Sequence, residues 1–99
     1  MVACEKVNYP PKPIDLSNIS IDFEHISERH PNVTVENVSE YINNALFSVT
    51  RWNSKFENYY GSSGAAFVDV TTNTVKSAFS SDEFTENIIK ACEAVKNGK

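Results

Sequence analysis

Residues 20–30, SIDFEHISERH, space their apolar side chains for a helix. On a helical wheel Phe23, Ile26, Ser27 and His30 share one face, and His25, Glu28 and Arg29 share the opposite one. Pro31 ends this predicted helix, because the residue before a proline avoids helical angles. A second helix is predicted over 34–45. Thr34 suits its N-cap, Glu36 sits in the first turn where the helix dipole favours an acid, and Val38, Tyr41, Ile42 and Ala45 form an apolar stripe. The period then changes from 3.6 to 2. LFSVTRW (46–52) is rich in β-branched and aromatic residues, and KFENYY (55–60) alternates polar with aromatic ones. GAAFVDV (64–70) and TVKSAFS (74–80) are strand-like and joined by the short turn Thr71-Thr72-Asn73. Ser80-Ser81-Asp82-Glu83 reads as a capping box for a third helix with Phe84, Ile88, Ala91, Cys92 and Val95 on one stripe and Asn97-Gly98 as its stop.

Ahead of these elements, Tyr9-Pro10-Pro11-Lys12-Pro13 favours extended polyproline and forbids helix. Residues 1–18 are therefore expected to form an arm, mobile or laid across the surface, and 19–99 a single domain. The predicted architecture is α+β: two N-terminal helices, an antiparallel sheet of three or four strands, and one C-terminal helix.

Ninety-nine residues, 40% apolar and 22% charged, suit one folded domain and argue against disorder. No stretch is long and apolar enough for a membrane helix, and no signal peptide is recognisable, so a cytoplasmic protein with no membrane partner is expected. Cys4 and Cys92 form no metal-ligand spacing with either histidine, which points away from a disulfide framework and from a structural metal site. Sequons at Asn18, Asn32 and Asn37 carry little weight without a secretory signal. Net charge is −4, all of it from residues 1–50, so bulk attraction to nucleic acid is absent and any such chemistry needs a local cluster of bases.

Glycine-rich phosphate loops, nucleophile elbows and H-E-x-x-H motifs are missing. Asp22, His25 and Ser27 are neighbours in sequence but point in different directions from a helix. The side chains with chemical potential are His25, Arg29 and His30 around the first helix, Arg51, Trp52, Lys55, Tyr59 and Tyr60 on or between the first strands, and Lys76 and Ser77 on the last. Each also has an ordinary role as a solvated or packed residue.

The segment H-I-x-x-R-H-x-x-V-T at 25–34, a strand with Arg51-Trp52, then GAAFVDV and TVKSAF, resembles the barnase–EndoU–colicin–RelE superfamily of metal-independent ribonuclease toxin domains. The versions in phage and polymorphic toxin proteins are the most similar, over roughly residues 20–80. The resemblance implies RNA cleavage by 2′-hydroxyl attack without a cofactor, on an RNA such as tRNA, with an immunity or antitoxin protein as partner and a target-cell cytoplasm as a second possible location. It implies His30 and His25 as acid–base groups, Arg29 or Arg51 on the phosphate, and Ser77 orienting a histidine or touching phosphate. Lys55 and Lys76 would bind substrate, and Trp52 and Tyr60 would stack a base. Histidine suits the task because its pKa lies near neutrality. Of the two, His30 is preferred because the wheel turns it toward the sheet. A different class stays open: a non-catalytic acidic module, either an immunity or inhibitor protein covering a basic enzyme or a phage accessory protein, which the net charge favours.

Overall fold

A computed structural model describes residues 6–51 and 55–96. Four consecutive strands form a meander: β3 (Ala45–Arg51), β4 (Phe56–Gly61), β5 (Gly64–Asp69) and β6 (Thr74–Ser80). These are the segments where the apolar period is two. Two short strands extend the meander at its edges. β1 (Lys6–Asn8) pairs antiparallel with β3, and β2 (Ser20–Ile21) pairs parallel with β6, giving the order β1-β3-β4-β5-β6-β2.

The expected sheet of three or four antiparallel strands is thereby corrected to a six-stranded mixed one, with three helices among the described residues. β1 and β2 have three and two residues, too few to show any period. Their pairing is decided by partners far along the chain. The expected start of the first helix is corrected for the same reason. Ser20 and Ile21 hydrogen-bond beside Thr74 and Val75, so α1 covers only Phe23–Arg29. Asp22 caps it through its carboxylate, which accepts the His25 N–H.

α2 (Val35–Asn43) has a reciprocal cap: Thr34 Oγ1 accepts the Asn37 N–H, and Asn37 Oδ1 accepts the Thr34 N–H. Its stripe of Val38, Tyr41 and Ile42, with Ile26 of α1, packs on Tyr59, Ala66, Val68, Val75 and Ala78 of the sheet. At about 1.5–3 kcal/mol for each large apolar side chain removed from water, this face carries much of the stability. α3 (Glu86–Lys96) packs against β3 and β4, and buried Cys92 places its Sγ 4.0 Å from the Gly61 carbonyl. The opposite sheet face holds a chain of rings: Phe47, Tyr60, Phe67, Phe79 and Phe84, with successive centroids 5.3–6.4 Å apart.

The predicted Ser80–Glu83 capping box is also corrected. Ser80 makes no side-chain cap, residues Ser81–Glu83 form a single 3-10 turn, and α3 starts six residues after Ser80. Thr85 Oγ1, not Ser80, accepts from the first turn of α3, at the Ile88 N–H.

Gly64 faces the helices. A Cβ there would lie 2.6 Å from both the Phe79 carbonyl oxygen and the Tyr41 ring. Gly64→Ala is expected to cost about 1–3 kcal/mol, the usual range for overpacking. Denaturant unfolding checks this, and a stability equal to wild type would show that Tyr41 can yield.

From β1 onward the arm does not float. After β1 it passes a cis Tyr9–Pro10 bond and is tied at Lys12, whose N–H donates to Ser48 Oγ (2.9 Å) and whose carbonyl accepts from Tyr59 Oη (2.7 Å).

Candidate functional site

β6 carries a bulge. Phe67 faces Ser77 while Val68 faces Val75, so Lys76 is the extra residue of the bulge. β2 covers only the first two residues of β6, and α1 lies along the rest of that edge. Two contacts bracket the run. At its start Asp22 Oδ2 sits 3.7 Å from Lys76 Nζ, and at its end the His30 ring lies 5.5 Å from the Phe79 ring. The packing therefore sets α1, with His30 at its C-cap, beside the margin that carries Lys76 and Ser77 of β6, while His25 and Arg29 stand on the exposed side of that helix.

Within that margin the environments differ. His25 and Arg29 are exposed, and Ser77 and Lys76 are half-buried. The His30 side chain is 17% exposed. Its Nδ1 is hydrogen-bonded to Glu83 Oε2 at 2.8 Å, which leaves Nε2 as the nitrogen to exchange protons with a substrate. A carboxylate on one ring nitrogen fixes tautomer and orientation, the arrangement that general acid–base histidines use. Glu83 stands at the end of the 3-10 turn that replaces the expected capping box.

Arg51, Lys55 and Tyr60 are elsewhere. Arg51 lies opposite Phe56 in the cross-strand row that continues to Asp69 and Thr74, at the far corner from Phe79. Strand rise and spacing put its backbone roughly 20 Å from that of Phe79, beyond reach of a phosphate held at His30. Lys55 is exposed in the turn before β4, where its carbonyl accepts the Val70 N–H. Tyr60 is built into the ring chain, stacked on Phe47 and edge-on to Phe67 and Phe84. Trp52 lies outside the described residues.

The most buried polar constellation was not among the predicted residues. Glu57, 1% exposed, stands on the helix side of β4. Its Oε2 accepts from Asn8 Nδ2 (2.7 Å) and Ser48 Oγ (2.5 Å), and its Oε1 from Thr50 Oγ1 (2.6 Å). A cavity of about 310 Å³ opens beside it, lined by Lys12, Asp15, Glu57, Tyr59, Val70 and Asn73 among others. The alternation of KFENYY does carry a signal for it, since Glu57 and Tyr59 must share one face and Asn58 the other. What it cannot reveal is that donors from β1 and β3 converge on Glu57.

Burial, and then the neighbouring Glu57 carboxylate, push the Tyr59 phenol up to about 12. The unfolded phenol ionises near 10, so between these values the unfolded chain releases a proton that the folded chain keeps. This contribution to stability is complete below pH 10 and disappears as pH rises through 12, about 2–3 kcal/mol in all. Denaturant midpoints measured from pH 9 to 12 should fall more steeply for wild type than for Tyr59→Phe. Burial raises Tyr41 as well, and its share remains in both proteins. Identical alkaline profiles would refute the assignment to Tyr59.

Among the described residues, no group of three or more His, Cys, Asp or Glu side chains is placed to hold a metal ion. Within the same residues no helix is long and apolar enough to cross a membrane. No family model matches the chain, and no curated protein or solved structure matches it.

Proposed function

We propose that this chain is a metal-independent endoribonuclease domain of toxin type, working at the α1–β6 margin. One observation supports this reading above the others: α1 lies along β6 so that His30, held by Glu83, shares an edge with Lys76 and Ser77. RNA carries its own nucleophile. A 2′-hydroxyl attacks the adjacent phosphorus, the bond to the 5′-oxygen breaks, and a 2′,3′-cyclic phosphate remains. The enzyme supplies a base for the hydroxyl proton, an acid for the departing oxygen, and positive charge or hydrogen bonds for the crowded phosphate. His30 Nε2 is the acid–base group, with His25 as a solvent-side second. Lys76 and Arg29 offset phosphate charge, and the Ser77 hydroxyl donates to a phosphate oxygen. Arg51, distant from this margin, has no role at the reacting phosphate and can only meet a more remote nucleotide.

The test is direct. Purified protein is incubated at neutral pH, with chelator present, with tRNA, rRNA and mRNA fragments. Fragments ending in 2′,3′-cyclic phosphate are expected, and RNA left intact overturns the reading. A second reading, the acidic binding module, draws on the ion pairs. His30, Lys76 and Lys90 each already face a carboxylate, of Glu83, Asp22 and Glu86, which weakens the positive field toward RNA. That reading expects capture of a basic protein with an affinity that falls steeply with salt.

A further inference from the structure

Glu57 and Tyr59 alternate onto one face of β4, and the proposed cleavage uses neither. The cavity of about 310 Å³ beside them is bounded by the arm at Lys12–Asp15 and by Val70 and Asn73 of the turn between β5 and β6. That volume lies at the lower end of small-ligand sites, about 300–1,000 Å³. Ile14 and Val70 give the cavity an apolar wall, while Lys12 and Asp15 line it from exposed positions. Glu57, 1% exposed, takes its three hydrogen bonds from neutral donors, on Asn8, Ser48 and Thr50. A carboxylate has about four acceptor positions, so one on Oε1 stays open. Among the described residues the ion pairs are His30–Glu83, Lys76–Asp22 and Lys90–Glu86, and neither Glu57 nor Asp15 belongs to one. The lining thus sets two carboxylates against the single ammonium of Lys12. A buried anion at the floor of a cleft with low-dielectric walls focuses negative potential into that cleft.

We propose that this cavity binds a primary alkylammonium group, its head toward Glu57 and Asp15 and its carbon stem on Ile14 and Val70. The proposal goes beyond the ribonuclease reading and does not depend on it. The net negative lining selects a cation. The donor set selects an organic one, because a hard metal ion takes six or more oxygen ligands, and no three metal-holding side chains gather among the described residues. An ammonium brings three donors. The open position on Glu57 Oε1 and the Asp15 carboxylate accept two of them. Tyr59 Oη accepts the third, since its own proton is already given to the Lys12 carbonyl. At 1% exposure Glu57 offers the ligand little contact area. Its contribution is charge acting across poorly hydrated protein, where a unit charge attracts several times more strongly than in water.

The experiment titrates n-butylammonium chloride into the isotope-labelled full chain at pH 7, against sodium chloride at equal ionic strength, and follows the backbone amide resonances. Saturable shifts are expected at Lys12–Asp15, Glu57, Tyr59 and Val70–Asn73. n-Butanol, the neutral counterpart, should bind at least about tenfold more weakly, and butyrate should not bind. No saturable shift around the cavity, or butanol binding as tightly as butylammonium, overturns the proposal. Glu57→Gln keeps the shape and removes the charge. It should lose at least about tenfold in affinity for butylammonium and leave butanol unchanged. Val70→Trp fills the cavity from an exposed position without touching the hydrogen bonds of Glu57, and serves if Glu57→Gln does not fold. It should abolish binding. Undiminished affinity in either folded variant also overturns the proposal. A blocked Gly-Lys-Gly peptide, titrated in the same way, separates the two sources of such a group. Binding as tight as that of butylammonium assigns the group to a lysine of a partner protein, and weaker binding assigns it to a free amine.

Discussion

Glu57→Ala should lower stability by about 3–5 kcal/mol, because it strands several donors that are aimed at one carboxylate. Ser48 and Thr50 are buried with it, and Asn8 is half-buried. Their hydroxyls and amide converge on Glu57 at 2.5–2.7 Å, short distances of the kind that hydrogen bonds to a carboxylate show. The loss propagates, because the network also anchors the arm. Ser48 Oγ both donates to Glu57 and accepts from Lys12 N–H, and Asn8 belongs to β1. For a chain of this size, each kcal/mol shifts the melting temperature by about 4–8 °C, so a fall of roughly 12–40 °C is expected. Glu57→Gln keeps the shape but turns an NH₂ toward donors, and about 2 kcal/mol should be lost. Calorimetry of the three proteins reads both values. A Glu57→Ala variant as stable as wild type would mean that the hydroxyls find other acceptors and the arm is held without them.

His30→Ala should reduce RNA cleavage by about 10²–10⁴-fold, the usual contribution of a positioned acid–base group. The imidazole also packs on Phe79, so the fold of the variant must be checked by circular dichroism before the rate is read. In the proposed ribonuclease Glu83 would be a positioning residue, and conservative rescue separates that role from a structural one. Glu83→Gln retains an acceptor for His30 and should keep most of the rate at unchanged KM, whereas Glu83→Ala should lose substantially more in kcat. His25→Ala, at an exposed site with only its backbone N–H engaged, should lose less than about tenfold. Undiminished cleavage by a folded His30→Ala would remove His30 from the chemistry.

The two histidines illustrate what the wheel can and cannot say. It orders His25 and His30 by exposure, yet His30 is the C-cap of α1 with non-helical angles, so its burial is set by packing on Phe79 and not by the wheel. It says nothing of Glu83, 53 residues away, which fixes how His30 presents its nitrogens. Arg51 and Lys76 were grouped by residue type alone. Counting strands and register separates them, one at the far corner of β3 and the other in the bulge of β6. The bulge has no local signature, since TVKSAFS alternates acceptably in two registers and the choice depends on where Phe67 and Val68 find their partners.

Read alone, the chain determined what depends on near neighbours. The cap of α2 and the Val38, Tyr41 and Ile42 part of its stripe were legible in it, whereas Ala45, read as the end of that stripe, opens β3; the four meander segments and the turn at Thr71–Asn73 were legible too. Each of these arises from side chains within one helical turn or one strand pleat. Only the tertiary structure decided that the arm and Ser20–Ile21 would become edge strands and that Glu57 would gather donors from β1 and β3. It also decided that His30 would meet Glu83 at the edge of β6. Those outcomes depend on which remote backbone or carboxylate satisfies a polar group once water is excluded, and partners 7 to 53 residues apart leave no periodic trace in the order of the residues.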